Sequence, residues 1–79
     1  MSSTAARIAQ NIASTIKVQR KMLGITQEEL ADLAGIDRTY ASQLERAIAN
    51  PSLSVLCRVA EALGLNLIDL IGECSKPSQ

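Results

Sequence analysis

Histidine, tryptophan and phenylalanine are missing from this chain, and Tyr40 is its single aromatic residue. Without histidine, and with two cysteines (Cys57 and Cys74) at no metal-site spacing, the sequence offers no ligand set for a metal, and no cofactor is expected. Two cysteines are also too few for the disulfide framework of a small secreted domain. Both thiols are therefore expected to be reduced and the protein cytoplasmic. No apolar run reaches the length of a membrane span, and the N-terminal segment with Arg7 does not read as a signal peptide, so no membrane is expected as a partner. Net charge is lacking as well. Eight Lys and Arg balance eight Asp and Glu, which counts against binding a polyanion unless the positive charge is concentrated locally.

The shortage of aromatics means that the core must be built from Leu, Ile, Val and Ala, within a hydrophobic content of 47%. Ala and Leu favour helices, whereas strands draw on β-branched and aromatic residues, so an all-α fold is expected. Seventy-nine residues are read as one domain, residues 1–79, with an ordered core over about residues 4–72 and a loose tail over 73–79. A chain this short buries only roughly 60% of the surface that it exposes when unfolded, so its stability margin is small.

Five helical segments stand against these absences, each bounded by a start or stop signal. Ile8, Ile12 and Ile16 recur every four residues and Leu23 extends the stripe, predicting an amphipathic helix over residues 4–23. Gly24 stops it, and Ile25 is placed to fold back on its last turn. Thr26 followed by Glu29 forms a capping box for a second helix whose inner face is Leu30, Ala31 and Ala34, with Gly35 as its stop. Asp37 caps a third helix with Ala41 and Leu44 inward and Arg38, Thr39, Ser42 and Gln43 outward. Residues 47–50 form a loop closed by Pro51. Ser52 caps a fourth helix with Leu53, Leu56, Val59, Ala60 and Leu63 at helical spacing, ended by Gly64. Asn66 caps a short fifth helix over residues 67–71, ended by Gly72.

The informative stretch is residues 26–46. Two short helices joined by a tight turn with a glycine in it cross steeply and push the second helix outward. The N-terminal residues of such a helix can enter the major groove of DNA, about 12 Å wide. The strings TQEELADLAGIDRTYASQLERA and NPSLSVLCRVAEALG resemble the Xre/lambda-repressor-like family of helix-turn-helix regulators over residues 12–71. The likeness rests on Thr26-Gln27, Glu29-Leu30-Ala31, Gly35, Leu44-Glu45 and Pro51-Ser52-Leu53. It implies a five-helix DNA-binding domain acting as a sequence-specific transcriptional regulator. Within the family, DRTYASQLER is most similar to the controller proteins of restriction–modification systems, small dimers that bind a palindromic operator. A phage-type repressor, or the antitoxin of a toxin–antitoxin pair, is the alternative. The chain departs from the family in two respects: its loop over residues 47–50 lacks the basic residues that some relatives use on phosphates, and many relatives carry Gly directly after Glu-Arg, where this chain has Ala47. If that position is left-handed, Ala costs about 1 kcal/mol relative to Gly.

The roles of individual residues follow. Arg38 is the leading base reader, because its forked guanidinium can take guanine O6 and N7 together; the alternative is a solvated helix residue. Thr39 can meet a thymine methyl or a phosphate and Gln43 can pair with adenine, by the resemblance, against the plain reading of exposed polar residues. Tyr40 either extends its hydroxyl to DNA or is a partly buried core ring. Ser42, Arg46, Asn50 and Ser52 are candidates for phosphate contacts, and Arg46 also complements the C-terminal dipole of its helix. The resemblance implies that Gln27 and the free amides around it clamp a phosphate, the alternative being simple capping. It also implies that Arg20 and Glu45 form a partly buried structural ion pair between the first and third helices.

The fifth helix is nearly all apolar, and Leu67, Ile68 and Ile71 are the candidates for a two-fold dimer interface, the alternative being a terminal helix packed on its own core. Cys57 reads as a small half-buried filler rather than a redox sensor. With no paired-carboxylate cleft, no phosphate loop and too little chain to enclose a substrate, no enzyme and no small-molecule substrate are expected.

Overall fold

The computed structural model describes residues 3–72 and contains α1 (Thr4–Leu23), α2 (Gln27–Ala34), α3 (Arg38–Glu45), α4 (Leu53–Ala62) and α5 (Leu67–Ile71), with no strand among the described residues. The all-α, five-helix expectation is borne out. The tail over 73–79, with Cys74, lies outside the described residues.

Each helix begins where a side chain can accept one of the amides that the first turn leaves without a partner. Ser3 Oγ accepts from the Ala6 amide, Ser52 Oγ from Val55 and Asn66 Oδ1 from Asp69. The capping box at α2 is reciprocal: the Glu29 amide donates to Thr26 Oγ1 at 3.0 Å and the Thr26 amide donates to Glu29 Oε1 at 2.8 Å. Caps of this kind are each worth about 1 kcal/mol, a large share for a chain of this size.

The helix ends follow from backbone geometry. Gly24 takes φ 72°, and the turn brings the Ile25 amide onto the Arg20 carbonyl at 3.2 Å, so that Ile25 packs on the core. Ile25 covers that end of the bundle, whereas Leu23, expected to extend the buried stripe of α1, is exposed. Leu53, also expected inward, is 64% exposed. It is the first residue of α4, and its side chain tilts back toward the N-terminus, off the end of the packed surface. Ile8, expected to begin the buried stripe of α1, is also exposed, at 36%.

The core is one aliphatic cluster: Ile12 and Ile16 of α1, Leu30 and Ala34 of α2, Leu44 of α3, Leu56, Val59 and Ala60 of α4, Leu63 just past it, and Leu70 of α5. Ala13, Ala31 and Ala41 are also buried, and their small side chains let neighbouring helices approach closely. α2 packs on α3 and α4, α1 on α3 and α5, and α4 on α5. Gln19 Nε2 donates to the Leu63 carbonyl at 3.1 Å, fastening α1 to the end of α4. None of the described helices is long and apolar enough to cross a membrane.

Among the described residues, the end of α3 is the one place where a residue other than glycine is left-handed. Ala47 has φ 61°, while the Ile48 amide closes the turn onto the Gln43 carbonyl at 3.0 Å. A Cβ in this region costs about 1 kcal/mol that glycine avoids. Ala47→Gly is therefore expected to raise the melting temperature by about 4–8 °C in thermal denaturation. An unchanged or lowered value would mean that the turn carries no strain.

Candidate nucleic-acid interface

α2 and α3 are joined by residues 35–37 alone. Gly35 sits at φ 70°, which lets the chain reverse while the Ile36 amide closes on the Ala31 carbonyl at 2.9 Å. Asp37 Oδ2 then accepts from the Thr39 amide at 2.9 Å, so α3 starts abruptly with Arg38 in solvent.

α3 is eight residues long, about 12 Å by its rise, and it divides cleanly. Ala41, Leu44 and Glu45 are buried. Arg38 and Thr39 are exposed, and Ser42 and Gln43, one turn further on, are half-buried. These four share the outer side of the helix through their i, i+4 spacing and present hydrogen-bonding groups without a large apolar side chain among them. Tyr40 is half-buried and packs against the core cluster. Arg46 caps the C-terminus of α3 in solvent, and Asn50 and Ser52 are exposed beyond the loop. Ser52 Oγ is occupied as an acceptor by its capping bond, which leaves its hydroxyl hydrogen to donate. The α5 residues belong to a different surface. Leu67 and Ile71 are half-buried against the core, and Ile68 is 77% exposed.

Beneath α3 lies the buried carboxylate of Glu45, 4% exposed. Arg20 Nε donates to its Oε2 at 2.6 Å and Arg20 Nη2 to its Oε1 at 3.1 Å, a two-point pairing, while Arg20 Nη1 holds the Ile25 carbonyl at 2.9 Å. Gln27 Nε2 also donates to Glu45 Oε1, at 3.1 Å. Burial pushes the Glu45 carboxyl upward. The hydrogen bonds from Arg20 and Gln27 and the charges of Arg20 and Lys17 outweigh it, so the group titrates below the ordinary 4.5. The hydrogen bond to Glu45 correspondingly raises Arg20.

Sequence reasoning missed that Gln27 is a third member of this network, because residues 18 apart are brought together only by the packing of α2 on α3. It also missed Lys17, whose charge reaches Glu45 from α1. No local pattern signals either contact.

The helix-turn-helix family model HTH_3 matches residues 16–70. The immunity repressor protein of Bacillus phage phi105 is 42% identical over 62 residues, 78% of this chain and 43% of the repressor, so the chain spans less than half of that relative's length. Among solved structures, the hypothetical transcription factor NHTF from Neisseria superposes with a TM-score of 0.80 at 35% identity, covering 87% of this chain and 79% of that one. The restriction-modification controller protein C.AhdI from Aeromonas hydrophila does so with a TM-score of 0.75 at 32% identity, covering 78% of this chain and 94% of that one.

Glu45→Ala leaves the half-buried Arg20 guanidinium without its carboxylate partner and is expected to cost about 3 kcal/mol, read as a clear drop in melting temperature. The pH dependence has a defined sign. A carboxyl held below its ordinary value stabilises the fold at neutral pH, and that stabilisation is lost as pH falls through the carboxylate range, because the unfolded chain takes up the proton first. The stability gap between wild type and Glu45→Gln, measured by urea denaturation, is thus expected to be widest near pH 7 and to close below about pH 4. A gap independent of pH would remove Glu45 from this role.

Proposed function

We propose that this chain, which belongs to the Xre-like helix-turn-helix family of transcriptional regulators, binds a palindromic DNA operator as a homodimer in the manner of a restriction–modification controller protein. The observation that carries the reading is the outer face of α3, where Arg38, Thr39, Ser42 and Gln43 offer polar groups to solvent on the helix that follows the turn. In this reading Arg38 pairs with guanine, Thr39 and Gln43 read neighbouring bases, and Tyr40 adds its hydroxyl at the edge of the site. Gln27, Ser42, Arg46, Asn50 and Ser52 hold phosphates on either side and fix the register of α3 in the groove.

The neutral composition does not oppose this. Asp37 and Glu29 are engaged in caps and Glu45 in its ion pair, whereas Arg38 and Arg46 stand at the two ends of α3 in solvent. With no net charge on the chain, the non-specific affinity of one subunit is low and two subunits are needed for tight binding. The dimer forms through α5, with Ile68 at its centre and Leu67 and Ile71 beside it. Two recognition helices about 34 Å apart then meet half-sites one helical turn apart. A phage-type repressor is the second reading, favoured by the identity with the phi105 immunity repressor. An antitoxin is less favoured, since the α3 face suits base edges rather than an apolar protein groove. The genes controlled by the selected sites separate the readings.

Selection from random duplexes is expected to return inverted repeats. Arg38→Ala should weaken binding to the selected site by about 1–3 kcal/mol and relax preference at one base pair per half-site, with the melting temperature unchanged. Arg46→Ala should weaken all duplexes alike and reduce the salt slope by about 1 per subunit. No enrichment of any sequence would defeat the reading. In sedimentation at micromolar concentration the wild type should be a dimer and Ile68→Asp a folded monomer. A wild type that stays monomeric at every concentration would end the dimer proposal.

A further inference from the structure

The ion pair beneath α3 and the phosphate contact proposed for α2 meet at one atom, Gln27 Nε2. We propose that Glu45 is a positioning residue for DNA binding: its Oε1 holds the Gln27 amide so that the second Nε2 hydrogen is presented to a backbone phosphate at the start of α2. This rests on the DNA-binding reading above and adds to it a second duty for the buried carboxylate.

The geometry supplies each link. Gln27 is the first residue of α2, beside the amides that the helix leaves without intrahelical partners. Those amides and the helix dipole favour an anion at this end. A primary amide has two hydrogens on one nitrogen, and one of them is engaged with Glu45 Oε1 at 3.1 Å. The side chain is half-buried, so its orientation is set by that bond rather than by free rotation in solvent. The carboxylate is fixed in turn by the two-point pairing with Arg20, whose Nη1 is fastened to the Ile25 carbonyl just before α2 begins. Hydrogen bonds from Arg20 of α1 and Gln27 of α2 thus converge on one acceptor, the Glu45 carboxylate at the end of α3. Arg20 stabilises the Glu45 carboxylate, the carboxylate takes one hydrogen of the Gln27 amide, and on this proposal the other goes to the phosphate. A negative acceptor on each side of the amide, carboxylate within and phosphate without, uses both of its hydrogens and leaves neither buried without a partner.

The test is the effect of Gln27→Ala on operator affinity in two backgrounds, with melting curves recorded in parallel. In wild-type protein the substitution is expected to weaken binding roughly tenfold, equally on all sequences, and to leave the salt slope unchanged, because a neutral amide displaces no counterion. In a Glu45→Leu background, which has no oxygen to accept from Gln27 Nε2, the same substitution should cost less than about twofold, since the amide is no longer held. An equal loss in both backgrounds overturns the proposal while leaving the DNA-binding reading intact. A wild type that binds no duplex overturns that reading instead. Should Glu45→Leu fail to fold, the wild-type protein alone decides by NMR of the Gln27 side-chain amide. One hydrogen should be shifted by the carboxylate before DNA is added, and the other should shift on binding while the first keeps its position. Loss of the first shift on binding overturns the proposal.

Discussion

A carboxylate taken out of water has to be compensated, and in this protein that one constraint joins three helices. Glu45 sits on the inward side of α3, where an apolar residue would serve the core as well or better. Its charge is tolerable because Arg20 of α1 meets it at two points and Gln27 of α2 at a third. The net stabilisation from such a pair is modest. The penalty for breaking it is large, and packings in which the three helices are rotated or slid apart leave a buried charge alone. The aliphatic core has no comparable directionality: Ile, Leu and Val contacts accept many small displacements, whereas a guanidinium and a carboxylate accept few. The placement of the outer face of α3 is thereby tied to an interaction on its inner face.

The helices themselves are held by local chemistry of small individual size. α2 and α3 have eight residues each and α5 has five, lengths at which an isolated helix is unstable in water. Side-chain caps at all five starts and left-handed residues at several ends satisfy amides and carbonyls that would otherwise be lost to solvent or buried unpaired. Ala47 does by strain what Gly24 and Gly35 do freely, which makes the end of α3 the least relaxed of these turns. It lies directly after the residues proposed to face DNA, and a small loss of stability there is compatible with a rigid recognition helix.

The charges of this neutral chain are unevenly engaged. Glu29 and Asp37 are engaged in caps and Glu45 in the ion pair, where amide dipoles and a guanidinium answer them, while Arg38 and Arg46 are left to solvent. Composition alone therefore misjudges such a protein; the pairing of its charges matters more than their sum.

The helix boundaries were legible in the chain, because caps, stops and the 3.6-residue repeat act over three or four residues: Thr26 with Glu29, Asp37 with Arg38, Gly24 with Ile25. The helix-turn-helix arrangement was legible for the same reason, since the length of the turn at residues 35–37 and its glycine dictate a steep crossing. Tertiary packing alone decided which apolar residues at helix ends are covered, as with Leu23, Leu53 and Ile68, because the periodic pattern carries no information about where a neighbouring helix stops. It alone decided that Gln27 meets Glu45 and that Lys17 lends its charge, since contacts between residues 18 or more apart depend on how three helices dock. Short-range forces write themselves into adjacent residues; the meeting of distant ones is settled only by the collective packing of the core.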